Sequence, residues 1–236
     1  MSSLDPPISA APESHGHIRE VVEIGSPDPV WSPDFDVSLL CQGTKIICLF
    51  ALDLSELGSG ISGIVYALDE DIAIKWFYVH ECPPAVALAK SKNDYARCTM
   101  TDYTMSTNER TVYRKLEQNP HANVAEALGD YPEAVYMRRY RPFDHDCSRS
   151  QRLQVYCDIL EALSHLHSLL VVHGDVSEGN VLLDADGRAV LCEFGMSYAV
   201  GWPNLSRLPR VSVPRGGFKQ PITGDYDRYS MASLIY

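Results

Sequence analysis

Three glycines in the segment LGSGISGIV are spaced as in a loop that could hold phosphate groups. Gly58, Gly60 and Gly63 form the pattern G-x-G-x-x-G, and Val65 follows two positions later. Because glycine has no Cβ, the backbone N–H groups of such a loop can approach phosphate oxygens closely. The pattern alone is weak, since glycines are common in hairpin turns. Its position between two strand-like runs disfavours phosphate loops that join a strand to a helix.

A lysine and a glutamate that follow this loop could form a buried ion pair. Lys75 lies in IAIKWF, a run typical of a strand. A lysine on the core side of a strand needs a countercharge, and Glu109 could supply it from the next helix. An exposed edge lysine and a solvated helix glutamate are the alternatives, and residue type alone does not decide between them.

The segment HGDVSEGNVLLD carries side chains that suit a centre for phosphate and metal. Asp175 and Asn180 are separated by a short polar loop that follows a long predicted helix. The aspartate could accept the proton of an attacking hydroxyl, and the amide oxygen could bind Mg²⁺. Both residue types are also common in turns. A third acid, Glu193, precedes Phe-Gly further along the chain.

Short apolar runs early in the chain and longer helical patterns later predict an α+β fold with segregated layers. Strands are predicted in KIICLFALDL, GIVYAL and IAIKWFY, and again in NVLLD and AVLCEF around the turn ADG. Helices are predicted over 107–118 and 150–170, the second capped by Ser148 or Ser150. Seven apolar residues are expected on the buried face of that second helix: Leu153, Tyr156, Ile159, Leu160, Leu163, Leu166 and Leu170.

Composition narrows the classes of partner and compartment. The formal net charge of −11 argues against nucleic acid and anionic membrane as partners. Seven cysteines without a C-x-x-C pair indicate reduced thiols, and the amino terminus shows no signal pattern. We therefore expect an intracellular and cytoplasmic protein. Its first 36 residues, rich in proline and polar residues, are predicted to be a flexible extension.

Taken in order, these motifs resemble the signature set of protein kinases. The resemblance covers residues from about 50 to 236 and looks nearest to divergent small kinase domains common in fungi. At its far end, DRYSMASLIY resembles the start of the family's central carboxy-lobe helix, with Asp227 as its structural aspartate. The resemblance implies a two-lobed fold with a β-rich amino lobe, 37–141, and a helical carboxy lobe, 142–236, that is incomplete at Tyr236.

The resemblance also implies ATP and Mg²⁺ as cofactors and a Ser/Thr-type protein hydroxyl as the acceptor. Its site residues would be Gly58, Gly60, Gly63 and Val65 over the nucleotide, Met137 as gatekeeper beside the adenine, Lys75 held by Glu109 on the α and β phosphates, Asp175 as catalytic base, and Asn180 and Glu193 on Mg²⁺.

Three substitutions depart from the family pattern. Gly174 replaces an arginine that reads activation-loop phosphate, and Ser177 replaces a lysine near the γ-phosphate. Glu193 replaces the metal-binding aspartate, and a misplacement of about 1 Å can cost roughly a hundredfold in rate. A pseudokinase that serves as a scaffold or nucleotide-binding module is therefore one alternative. A small-molecule phosphotransferase of the aminoglycoside or choline type is another, since these also use H-G-D with a later asparagine.

Overall fold

The computed structural model describes residues 54–80, 83–84, 86–130, 134–143, 146–202 and 221–235. The predicted extension, 1–36, and all but the last residue of the first predicted strand, 45–54, lie outside these ranges. The chain forms two compact units, and Val79–Ala96 is the described part of the first. It contains a turn in which the Ala87 N–H donates to the Pro84 carbonyl oxygen at 2.8 Å. The second unit, described below, contains Leu54–Tyr78 and the chain from Arg97 onward.

An antiparallel five-stranded sheet holds the glycine-rich segment and Lys75. Its strands are β1 (Ser55–Ser59), β2 (Gly63–Ala67), β3 (Ile72–Phe77), β4 (Ala127–Asp130) and β5 (Ala134–Arg138), in the order β1-β2-β3-β5-β4. The predicted strands in GIVYAL and IAIKWFY are confirmed as β2 and β3. The turn between them is closed by Asp69, whose Oδ1 accepts from the N–H groups of Asp71 and Ile72.

The glycine-rich segment is more regular than its loop pattern suggests. Gly58 lies inside β1, because the pairing of β1 with β2 continues past a register shift between Glu56 and Gly58. The turn proper is therefore short, and the Gly60 N–H donates to the Gly63 carbonyl oxygen at 2.9 Å across it. Gly63 begins β2 and lies against β3, where a Cβ would be 2.1 Å from the Trp76 carbonyl oxygen.

The different surroundings of Gly63 and Gly58 predict a large and a small loss of stability for the same substitution to alanine. Gly63→Ala should lower the free energy of unfolding by about 2 kcal/mol, because the new methyl must displace backbone of the neighbouring strand. Gly58→Ala is the matched control, since no atom of the residues that the structure describes lies within 4 Å of its Cβ position. We expect its effect to stay within about 0.5 kcal/mol. Urea unfolding of both variants checks this, and equal effects would contradict it.

The first helix, α1, spans Ala89–Glu117 and is much longer than the predicted helix over 107–118. The predicted start was wrong because the buried face of α1 carries polar side chains. Asp102 and Ser106 are buried there, in helical register with Glu109. Before Val112 the buried apolar residues are few, and Met105 is separated from Tyr95 and Ala96 by the buried Asp102, so the earlier turns show no continuous apolar repeat.

The second helix, α2, spans Arg149–Ser168, close to the predicted 150–170. Ser148, one of the two predicted caps, caps the helix, and Gln151 completes a capping box. The helix ends early because Leu170 adopts a left-handed conformation with φ of 59°. Its predicted face was wrong in part, since Leu153 is 54% exposed and Leu160 50% exposed.

The buried face of α2 includes the predicted Ile159, Leu163 and Leu166, and also Val155, Asp158 and Ala162. Asp158 is tolerated there because its Oδ2 accepts the Ala189 N–H at 2.9 Å and its Oδ1 accepts from Gln154 at 2.9 Å. The face is therefore rotated from the predicted one, since Leu153 and Leu160 lie outside it.

Short elements complete the carboxyl-terminal part. They are β6 (Arg141–Pro142), β7 (Val171–Val172), a 3-10 turn (Glu178–Asn180), β8 (Val181–Leu183), β9 (Ala189–Leu191), β10 (Tyr198–Ala199) and α3 (Asp225–Ile235). The predicted strands in NVLLD and AVLCEF are confirmed as the antiparallel pair β8 and β9. The fold is therefore α+β, as predicted. Among the residues described, no helix is both long enough and apolar enough to cross a membrane.

Candidate active site

Lys75 lies between two carboxylates at the centre of the candidate site. Its Nζ is 2.6 Å from Glu109 Oε2 and 2.8 Å from Glu193 Oε1. Strand β3 and helix α1 bury Lys75 and Glu109 completely. The register of the sheet places Val65 and Val135 directly opposite Lys75 on the neighbouring strands. The buried ion pair is therefore the correct interpretation, and the exposed alternatives for these two residues are excluded.

The electrostatics of this group follow from its burial. Burial lowers the pKa of Lys75, but the charges of Glu109 and Glu193 outweigh this and hold the pKa of the lysine above its ordinary value. Burial also raises the pKa of Glu109, to about 7, against the opposing attraction of Lys75. Lys75 is thus held as a cation, and its positive charge opposes the rise that burial causes in the pKa of Glu109.

Asp175 and Asn180 form a second group in the loop after β7. The Asn180 side-chain Nδ2 donates to the Asp175 carbonyl oxygen at 2.7 Å and to Asp175 Oδ2 at 3.0 Å. The 3-10 turn makes this contact local, because the Asn180 N–H donates to the Ser177 carbonyl oxygen. With its nitrogen used in this way, the amide presents its oxygen as the group that a metal could bind.

A backbone contact joins this loop to the segment that carries Glu193. The Cys192 N–H donates to the Asn180 carbonyl oxygen at 3.0 Å. The His173 Nε2 lies 2.9 Å from the Cys192 carbonyl oxygen, and its Nδ1 accepts the Asp175 N–H at 3.2 Å. These partners assign the hydrogen of the imidazole to Nε2. His173 thereby fixes the distance between the chain at Asp175 and the chain at Glu193.

Asp227, at the start of α3, anchors the same loop from below. Its Oδ2 accepts the His173 N–H at 2.8 Å and lies 2.8 Å from His167 Nε2, and its Oδ1 accepts the Gly174 N–H at 2.8 Å. The carboxylate is fully buried. Three donors from two different segments therefore converge on one side chain immediately before Asp175.

Aromatic packing that no sequence motif predicted links α1 to the Glu193 segment. The ring of Phe194 lies edge-on to Tyr113 at 5.1 Å and to His173 at 5.3 Å between centroids. Met105 packs against Gly195, where a Cβ would be 3.4 Å from the Met105 Cβ. Met105 and Tyr113 are each one helical turn from Glu109, so the spacing of four residues was the signal that could have found them.

The remaining predicted residues lie around the same space to different degrees. Met137 on β5 pairs with Ala73 and shares the sheet face of Lys75 and Val65. Gly60 lies next to Glu193, since a Cβ at Gly60 would be 3.6 Å from Glu193 Oε2. Within the described part of the chain, Gly58 has no neighbour within 4 Å of its Cβ position, and the close contact of Gly63 is with strand β3. Only Gly60 of the three glycines is therefore placed against the charged group.

Glu193 adopts an unusual backbone conformation for its residue type. Its φ is 68°, in the left-handed region that glycine, asparagine and aspartate enter more readily than glutamate. The Lys75 contact and the Cys192 backbone bonds hold it there. The conformation turns the carboxylate toward the lysine and the glycine turn.

The donor set fits a nucleotide with Mg²⁺. Asp175, Asn180 and Glu193 offer two carboxylates and an amide oxygen. Among the described residues, no three His, Cys, Asp or Glu side chains form a group that could hold a metal by themselves. Mg²⁺ is usually bound by only one or two carboxylates, with phosphate and water oxygens completing its shell. The fixed cation Lys75 and the small residue Gly60 suit phosphate groups nearby.

Comparison with known proteins agrees with this geometry. The model of the family "Protein tyrosine and serine/threonine kinase" matches residues 92–206. Serine/threonine-protein kinase PKH3 of Eremothecium gossypii is 35% identical over 162 residues, which is 62% of this chain and 20% of that protein. The Saccharomyces cerevisiae protein of the same name is 24% identical over 193 residues, 76% of this chain and 20% of that protein.

A plant protein, the cysteine-rich receptor-like protein kinase 19 of Arabidopsis thaliana, is 27% identical over 147 residues, 55% of this chain and 22% of that protein. The chain thus spans about a fifth of the length of the curated relatives that it matches. The matched segment contains Glu109, Asp175, Asn180 and Glu193.

Proposed function

Because the chain belongs to the protein kinase-like superfamily, we propose that it acts as an ATP- and Mg²⁺-dependent protein kinase on a Ser/Thr-type hydroxyl of a protein substrate. The observation that carries this proposal is the fully buried Lys75–Glu109 pair, at 2.6 Å, beside Glu193. Burying a lysine and a glutamate together costs desolvation energy. Binding of phosphate would explain why a cation is buried beside a glycine turn despite this desolvation energy.

Each residue has a defined task under this proposal. Lys75 binds and orients phosphate oxygens while Glu109 holds its ammonium in place. Asp175 accepts the proton of the attacking hydroxyl, and its bond from Asn180 orients the carboxylate. Asn180 and Glu193 would hold the metal. When bound, ATP supplies the transferable phosphoryl group, and Mg²⁺ neutralises charge on the phosphates.

The wider setting is part of the same proposal. Cys98, Cys147, Cys157 and Cys192 are unpaired, which supports a reducing, intracellular compartment. The net charge of −11 supports a protein substrate in preference to nucleic acid. We retain 37–141 and 142–236 as the proposed amino and carboxy lobes.

A nucleotide-binding pseudokinase is the second candidate, favoured by Glu193 itself. Its longer side chain contacts Lys75 directly. Its backbone adopts the left-handed conformation, which suits aspartate better than glutamate. Ser177 also supplies no positive charge where kinases have a lysine. The Asp175–Asn180 bond favours the enzyme, because a scaffold has no chemical need for an oriented base. A small-molecule phosphotransferase is less favoured, since the glycine turn and Asp227 follow the protein-kinase pattern.

Calorimetry and a transfer assay on the full chain separate these candidates. A non-hydrolysable ATP analogue should bind, and Mg²⁺ should tighten binding, since metal and phosphates share ligands. Transfer of phosphate to a mixture of Ser- and Thr-containing peptides should fall roughly 10²–10⁴-fold in Asp175→Asn, because the base is lost. Nucleotide binding should survive in that variant.

Binding without transfer in the natural chain would identify the pseudokinase. Glu193→Asp is the informative companion in that case, because it restores the family's metal ligand and a residue suited to the left-handed conformation. Transfer that appears only in Glu193→Asp would locate the defect at this residue. Absence of nucleotide binding by the folded natural chain would refute the proposed function.

A further inference from the structure

The Glu193 carboxylate spans the distance between Lys75 and the glycine turn. One oxygen, Oε1, is 2.8 Å from Lys75 Nζ. The other, Oε2, faces Gly60, 3.6 Å from the position of a Cβ on that residue. A single anionic group therefore contacts Lys75 and occupies the space beside Gly60, the two features that the proposed function assigns to phosphate binding. Because both positions belong to one side chain, a move of that side chain vacates both together.

The two carboxylates on Lys75 differ in their freedom to move. Glu109 is completely buried on α1, with its Oε2 2.6 Å from Lys75 Nζ. The Glu193 side chain is 26% exposed, and it lies in an irregular segment between β9 and β10. Glu109 is thus the enclosed partner of Lys75, and Glu193 is the partner that an incoming ligand can reach and displace.

The length of the Glu193 side chain allows it to contact Lys75 and to lie beside Gly60 at the same time. Aspartate is shorter by one carbon–carbon bond, about 1.5 Å. From the same backbone position it could not keep one oxygen at 2.8 Å from Lys75 and the other under Gly60. The extra methylene therefore brings the charge forward into the space below the glycine turn.

We propose that the Glu193 carboxylate is an internal substitute for a phosphate group, which closes the Lys75–Gly60 site until a ligand or a metal displaces it. The inference rests on the proposed function, because that function assigns Lys75 and Gly60 to phosphate. It deepens it by making binding of nucleotide dependent on the metal. In the absence of metal, the phosphates and Glu193 compete for the same ammonium. With metal present, Glu193 has a second partner and leaves Lys75.

Binding of inorganic pyrophosphate in EDTA tests the inference, measured by calorimetry on the full chain. Glu193→Gln keeps the length of the side chain and removes its charge. We expect pyrophosphate to bind about tenfold more tightly to this variant than to the natural chain, because the competing ion pair is lost. Asp186→Asn is the control, since it removes one negative charge from an exposed turn. It should change binding less than twofold.

The outcomes distinguish this inference from the proposed function. Equal or weaker pyrophosphate binding by Glu193→Gln, with the fold intact by circular dichroism, would overturn the inference. A similar gain in Asp186→Asn would also overturn it, because the effect would then be one of net charge. Binding of the ATP analogue with Mg²⁺ to the natural chain is measured in parallel. If only that binding is missing, the proposed function fails while the pyrophosphate result still decides the role of Glu193.

Discussion

Lys75→Met is expected to lower the free energy of unfolding by about 3–5 kcal/mol, because it leaves Glu109 buried without its countercharge. Both side chains are fully buried, and the ammonium of Lys75 lies 2.6 Å from Glu109 Oε2. Methionine has nearly the same length, so the variant tests the charge more than the packing. Urea unfolding monitored by tryptophan fluorescence measures the effect.

The dependence on pH identifies Glu109 as the cause. Its pKa in the folded chain is raised from 4.5 to about 7, mainly by burial. For a raised pKa, the stability contribution is present below the ordinary value and lost as the pH rises through the folded value. Lys75 is the group that lowers this pKa most, so its removal raises the pKa further. The cost of Lys75→Met should therefore be small near about pH 5 and large near about pH 8.

Two controls separate the buried pair from general charge effects. The double variant Lys75→Met, Glu109→Gln should recover most of the lost stability at about pH 8, because neither position then carries a buried charge without a partner. Arg138→Met breaks the exposed pair with Glu126 and should cost less than about 1 kcal/mol. If Lys75→Met costs no more than Arg138→Met at either pH, the buried pair does not support the fold as the geometry indicates.

The sequence indicated which charged residues come together better than it indicated the bounds and buried faces of the helices. Lys75 is 34 positions from Glu109 and 118 from Glu193, yet the structure brings all three side chains together. These residues could be identified from the sequence because each lies in or beside a recognisable motif, such as the apolar run around Lys75. The contact of Glu193 with Gly60 was not readable, because it depends on a side-chain rotamer and on a left-handed φ.

Polar residues on buried faces account for most of the errors in the fold. The early turns of α1 were missed because Asp102 and Ser106 interrupt the apolar repeat. The face of α2 was misjudged because Asp158 is buried where Leu160 was expected. A search for a hydrophobic repeat considers only apolar residues. An aspartate can also be buried when it accepts a hydrogen bond, as Asp158 does from the backbone N–H of Ala189.

Asp227→Asn is expected to cost at least about 3 kcal/mol, since it removes a buried charge that accepts three hydrogen bonds. Those donors are the backbone N–H groups of His173 and Gly174 and the ring of His167. The amide has nearly the same shape, but its NH₂ group must face at least one of these donors. One buried N–H is then left without an acceptor, whichever way the amide turns. Urea unfolding measures the loss.

The control for Asp227→Asn lies two positions earlier on the same helix. Asp225→Asn makes the same chemical change at an exposed side chain that pairs with Arg228, and it should cost less than about 1 kcal/mol. Equal costs for the two variants would contradict the anchoring role of Asp227. Because Asp227 holds the chain immediately before Asp175 and has no contact with Lys75 among its bonds, the loss should affect phosphate transfer more than binding of the ATP analogue. A parallel fall in both would mean that Asp227 supports the domain as a whole and not the position of the base.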